Sequence, residues 1–396
     1  MKDASRLEIP VGCNPRCNGC SHRELTRVAS LEQKEGFLRR AMAGLELHPR
    51  VISPIRSVGE EGRLGYRNRT CLHARLSGSG TGPNLQFGLL RAQGVGAPSR
   101  EPEFVPIPDC PVHSERVRGI FKRLTQVLPG NFSELPLVYG VVSGAFLTLV
   151  LKCAPRPVSQ ALVRVEWQDF ERDFGIRGVF VNFHASSGKR IFSSSGWQRV
   201  WGKDREVDAS GLVYGPQSFQ QLIPSLDQEA LELASHFMSA KSGDLVLDLY
   251  SGLGKSLRLW RDQGAQAMGV ELGSEAVSCA RQNAAGPGIE ILLGRCSDRL
   301  PQLKAQTASV LAYATVLAYL NPPRTGLEPE VLDWLSQEAR PERVAYLSCS
   351  PGTLARDLLG FKRAGYEIAR LQAFDFFPQT HHVEALALLQ KMPTPR

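Results

Sequence analysis

The chain has 396 residues, 42% hydrophobic and 22% charged, enough apolar material for more than one packed core and unlike a disordered or collagen-like protein. Its 47 Lys and Arg against 39 Asp and Glu leave a net charge of +8, a surplus that suits a polyanionic partner without identifying one. No run of about 18 apolar residues is present to span a membrane. Lys2, Asp3, Arg6 and Glu8 interrupt any signal-peptide core, so the chain reads as cytoplasmic. Nine cysteines in such a compartment argue for ligation, catalysis or burial rather than a disulfide framework.

In chain order, Cys13, Cys17 and Cys20 come first, in a C-x3-C-x2-C turn. Zinc takes four N or S ligands and iron–sulfur clusters take cysteine thiolates, so both fit this spacing. Radical enzymes that bind S-adenosylmethionine at a cluster share it too, but they require a barrel after the motif. A charged helical stretch, Ser30 to Leu47, follows. Next comes the cluster Arg63, Arg67, Arg69 and Arg75, partly within GYRNR (65–69). Arginines beside Tyr66 can pair phosphates and stack an unstacked base; a solvated arginine face is the plain alternative. The Gly/Ser/Pro-rich segment Ser77 to Asn84 predicts a hairpin turn or loop, and a basic helix is expected over about 113–126. Residues 137–205 are β-rich, with LVYGVVSGAFLTLVLKC, ALVRVEW and RGVFVNF bounded by turn residues.

The rhythm changes near 225. SLDQEALELASHFMSA has helical apolar spacing, with Ser225 as the expected N-cap. Short apolar strands then alternate with helices: LVLDLY (245–250), AMGVEL (267–272), IEILLG (289–294), VLAYL (316–320) and RVAYLS (343–348). This is the pattern of an α/β fold with a parallel sheet covered on both faces. VLAY occurs at 310 and again at 316; the second copy, running into NPPR, is taken as the strand. Three segments are expected: a cysteine- and arginine-bearing module over 1–125, a β-rich domain over 126–210 and the α/β domain over 211–396.

LVLDLY ends in SGLGKS, where glycines let a ligand approach the backbone near a helix N-terminus. Leu249 stands where a Walker A loop needs glycine, and Leu257 where a dinucleotide fingerprint needs its third. The remaining ligand-binding reading is the D-x-x-x-G-x-G turn of an S-adenosylmethionine-dependent methyltransferase. It contains Asp248, Gly252 and Gly254, with Glu271 about one strand further on to accept from ribose hydroxyls.

Three C-terminal motifs narrow this: NPPRTG (321–326), YLSCSPGT (346–353) and DFFPQTHHVE (375–384). Together with YGPQSFQQ (214–221), they resemble the signatures of the RNA 5-methyluridine methyltransferases. The similarity is strong over about 205–392 and patchy before it. It implies a Rossmann-like methyltransferase domain and methyl transfer from S-adenosylmethionine to C5 of uridine, with Cys349 as nucleophile and Glu384 as base. It also implies contacts of Gln221, Tyr250, Glu271 and Asn321 with the donor or the crevice. Arg324 is implicated beside the thiol and the RNA, and His382 as a supporting group. The chemistry fits these residue types: a thiolate added at C6 makes C5 nucleophilic, and a base must later remove the C5 proton.

One branch of that family acts on 23S ribosomal RNA and carries a four-iron cluster on three early cysteines and a later one. By this resemblance Cys13, Cys17, Cys20 and Cys110 are the ligands, with Cys71 the alternative fourth; zinc or no metal stays open. Expected partners are therefore RNA, ribosomal 23S or transfer, contacted by Arg67, Arg69 and Arg324, with the chain a monomer and no membrane. Three positions depart from the family pattern: Asn321 for aspartate, Lys255 for asparagine and Ser350 for asparagine. They keep open cytosine-C5 or exocyclic-amine methylation, or an iron–sulfur RNA-binding protein without turnover.

Overall fold

A computed structural model describes residues 6–77, 84–92, 101–129, 134–185 and 191–393. The chain divides into two compact units, residues 1–26 with 59–206, and residues 27–58 with 207–396.

The second unit is built on an eight-stranded sheet. Its strands are β1 (Ile52–Arg56), β2 (Leu245–Leu249), β3 (Gln266–Glu271), β4 (Ile289–Leu293), β5 (Val316–Leu320), β6 (Arg343–Ser348), β7 (Tyr366–Phe374) and β8 (Glu384–Lys391). They lie in the order β1-β7-β8-β6-β5-β2-β3-β4. Strands β2 to β6 pair in parallel, and β8 is antiparallel to both β6 and β7. Strands β2 and β5 are buried at every position, as the central strands of a doubly covered sheet must be. The seven helical segments of the unit used below are α1 (Arg27–Ala41), α2 (Pro224–Met238), α3 (Lys255–Asp262), α4 (Ser274–Asn283), α5 (Leu300–Val310), α6 (Pro329–Asp333, continuing as a π-helical turn to Ala339) and α7 (Pro351–Arg363). Leu247, Leu249, Ala318 and Tyr346 from the sheet share one core with Leu38 of α1 and with Leu354, Leu358 and Phe361 of α7.

The five expected core strands fall where their apolar runs lie, and the second VLAY is the strand; the first ends α5 and enters a turn. Ser225 is not the N-cap of its helix. Pro224 occupies the first helical position and Ile223 precedes it as cap, because proline's fixed φ and missing N–H suit that position.

The N-terminal segment 27–58 is built into this unit. Strand β1 joins the sheet edge parallel to β7, with Ile52 opposite Leu371 and Arg56 opposite Phe374. Arg370 Nε donates to Ser53 Oγ at 3.0 Å and Gln372 Nε2 to the Pro54 carbonyl at 2.6 Å. Lys362 Nζ donates to the Leu45 carbonyl at 2.5 Å.

The first unit carries a seven-stranded sheet in the order 103–106, 84–91, 70–77, 137–143, 146–151, 178–183, 197–202. Its pairings are antiparallel except between 146–151 and 178–183, which a helical crossover containing Trp167–Phe174 leaves parallel. The helix Glu115–Val127, capped by Ser114, buries Val117, Ile120, Phe121 and Leu124 in the same core as Trp167 and Phe170. Ser77 pairs with Asn84 at the expected hairpin, whose turn, 78–83, lies outside the described residues. The expected boundary near 125 is corrected here. Strand 70–77 bonds directly to strand 137–143, so both belong to one sheet, and segment 27–58 belongs with the other unit.

Leu247 is fully buried in the central strand. Leu247→Ala is expected to destabilise this unit by about 2–5 kcal/mol, through lost transfer energy and a residual cavity, as read by denaturant unfolding.

Candidate active site

The strand order reverses between β2 and β5, which places a crevice at their carboxyl ends. Every C-terminal motif reaches that edge. The turn after β2 holds Tyr250, Gly252 and Gly254; Asn321 follows β5; Cys349 follows β6; Glu384 opens β8. In the β6–β8 pairing Ser348 lies opposite Ala385, so the next residues outward, Cys349 and Glu384, are brought side by side.

The turn after β2 is strained in a specific way. Tyr250 has φ 62°, Gly252 φ 54° and Gly254 φ 76°, a backbone region that costs non-glycine residues energy and persists where the surroundings enforce it. A Cβ at Gly254 would lie 3.0 Å from that of Ala280, whereas one at Gly252 would meet nothing within 4 Å, so space lies open over the turn there. Glu271 spans the turn: Gly252 N–H donates to one of its oxygens at 3.0 Å and Gly273 N–H to the other at 2.7 Å. Asp248 is fully buried and accepts from Trp260 Nε1 at 2.8 Å. Burial pushes its carboxyl up to about 7 against the bonds from Ser256 and Trp260, and its Oδ1 has no partner among the described residues.

Glu384 is 4% exposed and accepts from Gln221 Nε2 at 3.3 Å; the side-chain Oε1 of Gln221 is buried and has no partner among the described residues. Burial, and then the negative charge of Asp227, raise the Glu384 carboxyl to about 8, with Gln221 and Arg324 opposing. Cys349 is half-buried. Burial and the charge of Glu384 raise its thiol, while Arg324 lowers it by charge and by a hydrogen bond. The Arg324 loop is tied down from α7: Thr353 Oγ1 donates to the Arg324 carbonyl at 3.1 Å. Asp357, fully buried, accepts from Leu327 N–H at 2.9 Å and from Tyr346 OH at 2.7 Å.

The other expected residues are placed as follows. Tyr250 OH donates to Glu328 at 3.1 Å. Asn321 N–H donates to the Leu249 carbonyl at 3.2 Å, tying β5 to β2 at the crevice. Lys255 pairs with Asp227 at 2.6 Å, and Ser350 starts α7 without a side-chain capping bond. His382 N–H donates to Thr380 Oγ1 at 3.2 Å, and its ring meets those of Phe377 and His381. Asp227, whose charge raises the Glu384 carboxyl, and Asp357, which bears on Tyr346, were not among the expected residues. Asp227 was missed because an acidic residue in a first helical turn reads as an ordinary helix-dipole partner.

In the other unit, Cys13, Cys17, Cys20 and Cys110 act on one another electrostatically. Burial and the charges of Cys110, Cys17 and Cys13 push the Cys20 thiol up to about 12, with Arg67 opposing. Burial raises Cys110 while the backbone N–H groups of Val112 and His113 bond its sulfur. Gly19 N–H donates to Cys17 Sγ at 3.4 Å, and Arg23 hydrogen-bonds Cys13. Cys71 stands apart; burial alone raises it. No group of three or more His, Cys, Asp or Glu suited to one metal ion occurs among the described residues. Arg63 is not a free cation for RNA: it is buried, paired with Glu60 at 2.7 Å and bonded to the Leu25 carbonyl at 2.9 Å. Arg67 and Arg69 are partly exposed. No helix among the described residues is long and apolar enough to cross a membrane.

A mostly parallel sheet with a glycine turn after β2, an acidic residue at the end of β3 and an antiparallel final strand defines a nucleoside-cofactor methyltransferase architecture. Residues 206–392, a little under half of the chain, match the family model of the tRNA (uracil-5-)-methyltransferases, enzymes that use S-adenosylmethionine. The chain is 28% identical to an uncharacterized RNA methyltransferase of Thermosynechococcus vestitus, over 94% of this chain and 82% of that one. It is 29% identical to the 23S rRNA (uracil(1939)-C(5))-methyltransferase RlmD of Pseudomonas fluorescens, over 98% and 82%. Its fold resembles that of the Pyrococcus abyssi tRNA (uracil-54, C5)-methyltransferase, solved with S-adenosyl-L-homocysteine. That likeness has a TM-score of 0.63 and 23% identity, and covers 95% of this chain and 86% of that one.

The raised Glu384 carboxyl has a stability consequence. The folded chain holds this proton more tightly than the unfolded chain does. The resulting stabilisation is complete below the ordinary carboxyl value, about 4.3, and is lost as pH rises through about 8. Glu384→Gln removes that loss, so the variant should gain stability over the parent between these limits and differ least at the acid end, as read by thermal melts across pH.

Proposed function

We propose that this enzyme makes 5-methyluridine in 23S ribosomal RNA, with Cys349 as nucleophile and Glu384 as base. The observation that carries the mechanism is the side-by-side approach of a half-buried thiol at the carboxyl end of β6 and a buried carboxyl at the amino end of antiparallel β8. Each ionises more readily while the other is neutral. Arg324 favours the Cys349 thiolate, whose sulfur bonds to C6 of uracil, moving the ring electrons to C5 and O4. C5 takes the methyl group in line as its bond to the sulfonium breaks, leaving a saturated C5 that still carries its proton. The Glu384 carboxylate takes that proton, the C5–C6 double bond re-forms, and Cys349 leaves as thiolate.

The residues around the glycine turn suit S-adenosylmethionine. Gly252 and Gly254 give the backbone approach, and Glu271 is an acceptor for ribose hydroxyls. Tyr250 and Asn321 flank the crevice, with Gln221 beside the base.

The mutual field of the four thiols, and the N–H donors aimed at Cys17 and Cys110, support Cys13, Cys17, Cys20 and Cys110 as ligands of a four-iron cluster. The cluster's role would be structural, in a unit that meets RNA through Arg67 and Arg69, with Arg324 doing so at the crevice. Cytoplasmic, monomeric action goes with this reading. The name of the Pseudomonas relative supports the 23S substrate; the description of the family model favours transfer RNA as the second reading.

Cys349→Ala should abolish transfer of labelled methyl to RNA, and retained turnover would reject the mechanism. Glu384→Gln should accumulate a methylated protein–RNA adduct on denaturing gels. Nucleoside mass spectrometry of 23S and transfer RNA from a strain lacking the gene should show 5-methyluridine lost from the 23S fraction. Methylcytosine, a methylated amine or no change would favour the alternatives kept open by Asn321. Cys110→Ser should lose most of its iron relative to Cys71→Ser, measured by iron content of the anaerobically purified chain.

A further inference from the structure

We propose that Lys34, on the N-terminal helix α1, is a positioning residue for Glu384. This rests on the reading of Glu384 as base. Lys34 is fully buried, an unusual fate for a lysine. Its ammonium pairs with Asp375, itself 5% exposed at the side chain, and donates to the Phe377 carbonyl at 3.0 Å.

These partners open the loop 375–383 that leads into Glu384. The Phe377 carbonyl also accepts from Thr380 N–H at 3.0 Å and from Thr380 Oγ1 at 3.2 Å. That same hydroxyl accepts from His382 N–H at 3.2 Å, two residues before Glu384. At the same opening of the loop Asp375 N–H donates to the Arg56 carbonyl of β1 at 2.8 Å, and Phe374 pairs directly with Glu384 across β7 and β8. One ammonium therefore fixes the start of the loop directly, and its far end through Thr380, two residues short of Glu384 at His382.

A buried ion pair is weak evidence for added stability, since desolvation offsets attraction. What it supplies is one loop geometry: an ammonium held between Asp375 and a carbonyl leaves the loop a single position in which both are satisfied. Displacing a catalytic group by about 1 Å costs on the order of a hundredfold in rate, and Glu384 acts only at the elimination step. The consequence is selective. Loosening the loop should slow proton removal and leave thiol addition untouched.

The test pairs Lys34→Met with Asp375→Asn, so that no unpaired charge is left buried. The double variant should fold, by circular dichroism. It should form the covalent adduct with 5-fluorouridine RNA, which stalls before elimination, at the parent rate. On ordinary RNA it should turn over at least about tenfold slower and accumulate methylated adduct, with KM for S-adenosylmethionine unchanged. Lys34→Arg, which keeps the charge, should recover part of the loss. Parent-like turnover, slowing without adduct, or failure to fold would each overturn the proposal. Glu384→Gln run alongside separates the two claims. If it fails to accumulate adduct, the base assignment falls and this proposal with it; if it accumulates adduct and the Lys34 variant does not, only the positioning role falls.

Discussion

The arrangement turns on the burial of one carboxyl. Glu384 lies at the inner edge of the sheet with a raised affinity for its proton, and beside it stands a thiol whose own proton is harder to lose for the same reasons. Two acids in one dry crevice cannot both ionise without cost. The proposed reaction asks for their charges in turn, thiolate first and carboxylate later, so the mutual repulsion is compatible with the order of events. Arg324 lowers both groups, and its loop is pinned from α7 through Thr353 and Asp357. A freely swinging arginine would not weight these groups in a defined way.

That crevice depends on parts of the chain far apart in sequence. Strand β8 is the antiparallel member that turns Glu384 toward Cys349, and it is flanked by β7, which is flanked in turn by β1 from the N-terminal segment. Segment 27–58 thus closes the sheet edge and, through Lys34 of α1, holds the loop before Glu384. It is part of the catalytic unit, although more than 140 residues of the other unit intervene before the sheet's next strand.

What the sequence made legible follows the range of the forces involved. Strands β2 to β6 were readable because each is a short continuous apolar run, the local signature of burial on both faces. Cys349 and Glu384 were readable because long motifs carried them, and the structure's strand register then brings them together. Non-local choices were hidden. Strand 70–77 pairs with 137–143 across an apparent composition boundary, which merged two expected segments into one sheet. Arg63 read as one of the arginines able to pair phosphates but is spent on Glu60 and a carbonyl. Lys34 lay in a stretch that looked simply charged, since nothing in EQKEG distinguishes a buried lysine from a surface one.

Asn321 gains meaning from the same electrostatics. It sits at the carboxyl end of β5, bonded by its backbone to β2, on the edge that Cys349 and Glu384 share. An aspartate there would add a further negative charge to that edge, where Glu384 already bears the influence of Asp227, and a like charge makes a carboxyl hold its proton more tightly. Asparagine keeps the hydrogen-bonding capacity of the position without that charge. On the proposed mechanism the substitution eases formation of both the thiolate and the carboxylate, at the loss of an anionic acceptor at the crevice edge. Lys255 acts in the same direction, since it neutralises Asp227 directly. On that mechanism the two departures from the family pattern relieve one common burden, the accumulation of negative charge around Glu384, whose carboxyl would have to give up its proton between turnovers.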